Sequence, residues 1–250
     1  MSGHSKWSQI KRQKGVNDAK RGATFTKVAR DIAIAARAGG GDPDGNFKLR
    51  LAIEKARGVN MPADNIKRAI ERGAGGAEAE QFEEIVYEGY GPGGVAVLVE
   101  AATDNRNRTA ADIRAIFTKA GGQLAGTGAV AWQFEQRGVV SISREKQDAD
   151  EIALLAIDAG ADDVDTDADP LEVYTAPGDL EKVRHGLEQA GVRIESAELT
   201  TQAKNMIEVD PARARANLRL IEHLEDQDDV QRVTANFEIP DEILAEAASA

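Results

Sequence analysis

The sequence predicts an α+β protein: an N-terminal three-helix domain followed by two ferredoxin-like α/β domains, one inserted in the other. Three observations predict it. The first part of the chain is basic with helical periodicity, the rest alternates short apolar segments with amphipathic ones, and a run of small residues separates the two. At 250 residues the chain is also long enough for two or three domains.

Apolar residues at intervals of three and four predict three N-terminal helices. The first covers Phe25 to Ala36 and ends near Gly39, where glycine tolerates a left-handed turn. The second spans 46–57, and Pro62 opens the third in its first turn, where its missing N–H costs nothing. On the first helix the basic residues fall opposite the apolar face: Lys20, Lys27, Arg30 and Arg37.

The segment 73–81, rich in small and acidic residues, predicts a linker. The elements predicted after it are strands at 85–90 and 95–101, a helix at 109–120 and a strand at 130–134.

From Gly138 the predicted order is strand, helix, strand, strand, helix, strand, which is a ferredoxin-like unit. A short strand at 206–209, a helix at 211–225 and a strand at 230–237 follow, and they supply the half missing from the domain begun at Ile85. We therefore expect domains at 1–76, at 77–135 with 204–250, and at 136–203.

The charge distribution divides the chain more sharply than its net charge of −12 suggests. Residues 1–73 contain sixteen Lys and Arg against seven Asp and Glu, a net +9, so the remainder carries −21. A basic module joined to an acidic body favours a nucleic-acid partner. The sequence lacks cysteine, a signal peptide and a run of about 20 apolar residues, so we expect a soluble cytoplasmic protein without membrane contact.

The basic N-terminus is the main predicted binding site, because clustered Lys and Arg neutralise phosphates and an aromatic ring can stack on an unpaired base. The alternative is a solvated basic tail with Trp7 in the core. The predicted contacts are Lys6, Trp7, Lys11, Arg12, Lys14, Lys20, Arg21, Lys27 and Arg30.

Sequence motifs for catalysis, cofactors and metals are missing or in the wrong context. Gly89, Gly91 and Gly94 have dinucleotide-binding spacing, but a strand follows them instead of a helix, which predicts a plain β-turn. A calcium loop counted from Asp163 fails because Ala168 and Tyr174 occupy its glycine and glutamate places.

Phosphate-binding and nucleophile motifs are also missing, and the three histidines have no metal-ligand spacing. We expect a non-enzymatic protein with neither cofactor nor metal, although an acidic catalytic site without a motif stays a third hypothesis.

Several sequence segments resemble the YebC family. The matching segments are GHSKW at 3–7, DAKRG at 18–22, FTK at 25–27, GGGDP at 39–43, LRLAI at 49–53, KAR at 55–57, NMPADNI at 60–66, EGYGPGG at 88–94 and TDNRNRT at 103–109. The resemblance covers essentially the whole chain. One departure is Phe47, which stands where the family pattern usually has proline, at the start of the second helix.

The resemblance implies a three-domain protein that binds nucleic acid. Family members are described as DNA-binding transcriptional regulators, and others, including a mitochondrial translational activator, as ribosome-associated factors that assist synthesis at proline runs. It also implies a second contact at Arg106 and Arg108, for which solvated arginines at a helix start are an equal alternative. DNA and rRNA both stay open as partner, as does a homodimer; the lack of an identifiable recognition helix slightly favours structured RNA.

Overall fold

The protein, described here from a computed structural model covering residues 18–75, 82–144 and 147–249, has the predicted α+β architecture, with N-terminal helices and two antiparallel sheets that carry further helices. It divides into two compact units, one formed by the described residues of 135–202 and the other by those of 18–134 and 203–249. The N-terminal helices and the first sheet belong to the same unit. The predicted boundary at 76/77 lies within a gap in the described ranges, and the three-domain division stays a prediction.

The N-terminal helices are α1 (Asp18–Gly39), α2 (Phe47–Gly58) and α3 (Ala63–Ala74). Their common core contains Val28, Ile32, Leu49, Ile53 and Ile66. Pro62 is the residue before α3 rather than part of its first turn. Gly73 lies within α3, where a Cβ atom would come 2.2 Å from the carbonyl oxygen of Ala33, so α1 and α3 pack with their backbones unusually close.

Asn46 joins the end of α1 to the start of α2. Its side-chain oxygen accepts a hydrogen bond from the backbone N–H of Leu49 at 3.1 Å, the usual role of an asparagine before a helix. Its amide nitrogen donates to the carbonyl oxygens of Ala35 and Gly40, both at 2.8 Å. Because the side chain is buried and both of its polar atoms are hydrogen-bonded, it fixes the angle between the two helices.

The first sheet has the strand order β3-β1-β2-β8. Its strands are β1 (Glu83–Tyr90), β2 (Ala96–Thr103), β3 (Gln123–Leu124) and β8 (Val230–Ala235), and its helices are α4 (Arg106–Lys119) and α7 (Pro211–Glu225). One face packs on both helices through residues that include Val97, Val99, Ile113, Phe117 and Leu220. The opposite face is covered by a second cluster with Ala96, Leu98, Val130 and Phe134. The central strand β2 is therefore buried on both sides.

The glycine motif after β1 forms the predicted turn. The N–H of Gly91 donates to the carbonyl of Val95 at 2.8 Å, and β2 continues antiparallel to β1. Two of the glycines serve packing: a Cβ at Gly89 would meet the ring of Phe117 at 2.6 Å, and one at Gly91 would meet the Asn217 side-chain oxygen at 2.0 Å. The motif lets the hairpin approach α4 and α7 closely.

The second unit has the strand order β5-β6-β4-β7. Its elements are β4 (Phe134–Ile142), α5 (Ala149–Ala159), β5 (Asp163–Asp165), β6 (Leu171–Thr175), α6 (Leu180–Gln189) and β7 (Ile194–Ala203). Numbered within the unit, the strand order is 2-3-1-4, that of a ferredoxin-like sheet. Its core includes Val140, Ile142, Ile152, Leu171 and Val183.

The strand predicted at 130–134 is wrong. A 3₁₀ turn occupies Ala131–Gln133, and β4 begins only at Phe134. The physical reason is Glu88, whose buried carboxylate accepts hydrogen bonds from the backbone N–H groups of Val130 and Ala131 at 2.7 and 2.8 Å. Those donors are consequently not free to join a β ladder.

Two features at the C-terminal side also differ from the prediction. Segment 206–209 makes only an isolated bridge, between Ile207 and Phe237, and β1 fills the place in the first sheet that this segment was expected to take. A helix, α8 (Asp241–Ser249), was not predicted, and its Ile243 and Leu244 complete the core under the first sheet.

The segment that leads from the first sheet into the inserted unit lies beside the segment that leads back to the first sheet. The backbone N–H of Lys204 donates to the carbonyl of Gln133 at 2.8 Å, and the Lys204 ammonium donates to the carbonyl of Trp132 at 3.0 Å.

None of the helices within the described ranges is long and apolar enough to cross a membrane.

Candidate nucleic-acid interface

The predicted contacts divide into those outside the described residues and those within them. Lys6, Trp7, Lys11, Arg12 and Lys14 lie outside. Lys20 and Arg21 lie in the first turn of α1, and only their backbone is described. Of these seven residues, the structure therefore gives the helical position of two, and their binding role stays a prediction.

Arg30 on α1 is committed to contacts inside the protein. Its Nη1 donates to the carbonyls of Ala102 at 2.9 Å and Asp228 at 2.7 Å, and it pairs with the carboxylate of Asp229 at 3.3 Å. The guanidinium also lies 4.7 Å from the ring centre of Phe82, a cation–π distance. Only 11% of its side chain is exposed, and Arg30 thus joins α1 to the first sheet.

Lys27, one turn before Arg30, points the same way. Its ammonium donates to the carbonyl oxygen of Glu225 at the end of α7. Burial lowers the pKa of this ammonium below its ordinary value, and the acidic side chains at that helix end only partly offset the effect. The sequence predicts a cationic face on this side of α1. At Lys27 and Arg30 that face is instead a second packing face.

Asp229, just before β8, is the centre of this contact. Besides Arg30, its carboxylate accepts from the hydroxyl of Thr109 at 2.7 Å, from that of Thr103 at 3.1 Å and from the guanidinium of Arg108 at 2.9 Å. Burial opposes ionisation of this carboxyl, but the hydrogen bonds and the positive charge of Arg30 outweigh it and hold its pKa below the ordinary value.

The two arginines at the start of α4 differ in how far they are engaged. Arg108 is half exposed and bonds to both Asp104 and Asp229, at 2.8 and 2.9 Å. Arg106 is 66% exposed and has one distant acidic partner, Glu83 at 3.5 Å. Asn105 supplies the helix cap by accepting from the N–H of Arg108. Of the two, Arg106 is the more accessible to a phosphate.

A cleft of about 730 Å³ lies between α1, α3 and the start of α4. The charged side chains lining it are Arg30, Arg72, Arg108, Asp104, Asp112, Asp228 and Asp229. Three arginines face four aspartates, and two of the arginines pair with aspartates there. The cleft therefore offers little net attraction for a polyanion.

Four exposed cations on the N-terminal helices pair with no acidic residue that the structure describes: Arg37, Lys48, Arg57 and Arg68. They lie on all three helices, so the basic surface is wider than the predicted set of residues. Helical periodicity could have found them, because each falls outside the apolar positions of its helix.

The inserted unit has the opposite character. Residues 135–202 contain seventeen Asp and Glu against six Lys and Arg, a net charge of −11 out of the chain's −12. Across the described residues, including the alternating aspartates at 163–169, no group of three or more His, Asp or Glu is arranged to hold a metal ion. This unit would repel a nucleic acid rather than attract it.

Comparisons with known proteins agree along the whole chain. A family model described as "TACO1/YebC protein N-terminal domain" matches residues 5–76, and one described as "TACO1/YebC second and third domain" matches residues 82–237. A "Probable transcriptional regulatory protein" of Rubrobacter xylanophilus is 55% identical over 99% of this chain and 100% of its own.

Another protein with that name, from Chloroflexus aurantiacus, is 57% identical over 98% of both chains. The crystal structure of a conserved hypothetical protein from Aquifex aeolicus, 46% identical, superposes with a TM-score of 0.82 over 89% of this chain and 92% of that one.

Proposed function

This chain belongs to the TACO1/YebC family, and from that premise we propose that it is a non-enzymatic, DNA-binding transcriptional regulator whose N-terminal helices and preceding basic segment, Lys6 to Lys14, bind the phosphate backbone. The names of its relatives support transcriptional regulation. The observation that carries the DNA-binding part is the set of exposed helical cations without an acidic partner among the described residues: Arg37, Lys48, Arg57 and Arg68.

The physical argument is one of charge placement. Each Lys or Arg that neutralises a phosphate releases a counterion, which gives affinity without sequence preference. Arginines held by aspartates, such as Arg30 and Arg108, are already neutralised within the protein. Binding then relies on the exposed helical cations, the basic segment from Lys6 to Lys14, and Arg106.

The first experiment measures the salt dependence of binding to a labelled DNA duplex by fluorescence anisotropy. The double variants are Lys11→Glu/Arg12→Glu in the basic N-terminal segment and Arg37→Glu/Arg68→Glu on the helices. Each should weaken binding at least about tenfold and lower the slope of log affinity against log salt by roughly 0.9 for every phosphate that is no longer neutralised. Lys119→Glu/Lys182→Glu, the same charge change elsewhere, is the control and should bind as the unaltered protein does.

The second experiment separates DNA from RNA as the partner in cells. Crosslinking is followed by sequencing of both nucleic acids recovered with the protein. Discrete promoter sites, with rRNA at background, agree with a transcriptional regulator. Enrichment of rRNA positions with no promoter sites contradicts it and supports an rRNA-binding factor on the ribosome, while unchanged duplex affinity in both double variants contradicts the phosphate-binding surface itself.

A further inference from the structure

Trp132 is the one exposed aromatic side chain among the residues whose burial the structure describes. Its side chain is 66% exposed, whereas Phe117, Phe134 and Phe237 are buried. A single exposed apolar side chain is ordinary on a protein surface and needs no partner. What distinguishes Trp132 is how firmly the surrounding backbone is held.

The loop that carries Trp132 is fixed by a buried carboxylate. Glu88 is 3% exposed and accepts from the N–H groups of Gly128, Val130 and Ala131 at 2.6, 2.7 and 2.8 Å. Three charge-assisted hydrogen bonds immediately before the tryptophan leave its backbone little freedom. Val130 and Phe134, on either side of the 3₁₀ turn, are buried in the core against β2.

The indole ring is held as well. Its Nε1 donates to the carbonyl of Ala129 at 3.2 Å, so its polar group already has a partner and the π-face is what remains for a ligand. The Ala129 carbonyl also accepts from the hydroxyl of Tyr90 at 3.0 Å, which ties the loop to β1. A ring held in one orientation loses little entropy when a flat ligand stacks on it.

A cation lies beside the backbone of Trp132. The exposed Lys204 places its ammonium 3.0 Å from the carbonyl oxygen of Trp132 and keeps further donors for solvent or a ligand. An aromatic face with an adjacent cation is the combination that holds an unpaired base together with its phosphate.

We propose that Trp132 and Lys204 form a contact for single-stranded nucleic acid, in which an unpaired base stacks on the indole and its phosphate meets the ammonium. This inference rests on the proposed nucleic-acid function and deepens it, because it gives the α/β body a contact of its own. It also identifies the ligand as a strand with at least one unpaired base.

The sequence allows a direct optical test, because the chain has only two tryptophans, Trp7 and Trp132. In the variant Trp7→Phe, intrinsic tryptophan fluorescence reports on Trp132 alone. Titration with oligothymidylate of about twelve nucleotides should quench that fluorescence strongly, because stacking brings the base against the indole. A duplex of equal length, with its bases already stacked, should bind with far less quenching.

Affinity is measured in parallel with labelled oligothymidylate and variants of the otherwise unaltered protein. Trp132→Leu should weaken binding roughly 5- to 150-fold, while Trp132→Phe keeps a stacking ring and most of the affinity. Lys204→Gln should weaken binding and reduce its salt dependence. Because both side chains are exposed, unaltered unfolding midpoints are expected and show that the variants fold.

The two proposals fail in different ways. Binding of oligothymidylate without quenching, or with full affinity in Trp132→Leu, overturns the Trp132 contact and leaves nucleic-acid binding by the N-terminal helices standing. Absence of binding to both oligothymidylate and duplex overturns the proposed function and this inference with it.

Discussion

Arg30 and Asp229 form an ion pair of 3.3 Å in which both side chains are almost buried, 11% and 12% exposed. The arginine lies on α1 and the aspartate precedes β8, so the pair joins the N-terminal helices to the α/β body. Two backbone carbonyls and the ring of Phe82 complete the arginine's contacts, and two threonines and Arg108 complete those of the aspartate.

Arg30→Met is expected to reduce the free energy of unfolding by about 1–3 kcal/mol, because it leaves two carbonyls and a carboxylate with one donor fewer. Asp229 keeps three other donors, which limits the loss. Urea denaturation gives the value. Arg68→Met, an exposed change on α3, is the control and should stay within about 0.5 kcal/mol of the unaltered protein.

The lowered pKa of Asp229 predicts the pH dependence of stability. Its contribution is fully present above the ordinary aspartate pKa of about 3.9 and is lost as the pH falls through the lower folded-state value. The difference in unfolding free energy between the unaltered protein and Asp229→Asn should thus be largest above about pH 5 and shrink in acid. Denaturant titrations across this pH range measure it.

Asp112→Asn removes an exposed carboxylate from α4 and serves as the comparison for that series. Its stability should follow the curve of the unaltered protein at every pH. A pH-independent deficit in Asp229→Asn would contradict the expected linkage.

Glu88→Gln keeps the shape of the side chain and removes its charge. Burial opposes ionisation of Glu88, but the three backbone N–H donors outweigh it and lower the pKa of its carboxyl. A glutamine has one acceptor oxygen for three donors, and its NH₂ group faces an N–H. We expect a loss of about 2–4 kcal/mol in unfolding free energy, from charge-assisted bonds worth roughly 1.5–3 kcal/mol each.

Amide hydrogen exchange locates that effect. Protection of the Val130 and Ala131 amides should fall more than that of β2. Glu84→Gln, an exposed change on the same strand as Glu88, should leave the exchange of this loop unaltered.

Two glycine-to-alanine changes should have opposite signs. Gly22→Ala lies in α1, where no described residue outside the local helix backbone comes within 4 Å of the new methyl, and it should stabilise the protein by up to about 1 kcal/mol through helix propensity. Gly73→Ala drives a methyl against the carbonyl of Ala33 and should destabilise it by about 1–3 kcal/mol. Thermal unfolding compares the two, and stabilisation by Gly73→Ala would refute the close packing of α1 and α3.

The sequence predicted elements best where periodicity alone decides the outcome. Helix 211–225 was predicted with the observed bounds, since an amphipathic stripe specifies it locally. The strand predicted at 130–134 failed because Glu88, more than forty residues away along the chain, takes its N–H groups. No local pattern contains that information.

The site was less predictable than the fold for a related reason. A helical wheel places Arg30 opposite the apolar core of α1, and the charge then predicts a surface cation. Whether that side meets solvent or a second partner depends on residues 72 to 199 positions further along the chain, at Ala102, Asp228 and Asp229. Trp132 was missed because an apolar residue within a predicted strand is ordinarily assigned to a core.

The backbone bond between Lys204 and Gln133 bears on how the chain is completed during synthesis. Strand β8 and helix α7 are made after residues 135–202, so the first sheet cannot close until the whole insertion has been translated. If the inserted unit folds first, it brings residues 133 and 204 together. The first sheet then forms without the entropic cost of closing a long flexible loop. The inserted unit then acts as an internal scaffold for the first sheet, and slow folding of the inserted unit would delay the folding of both.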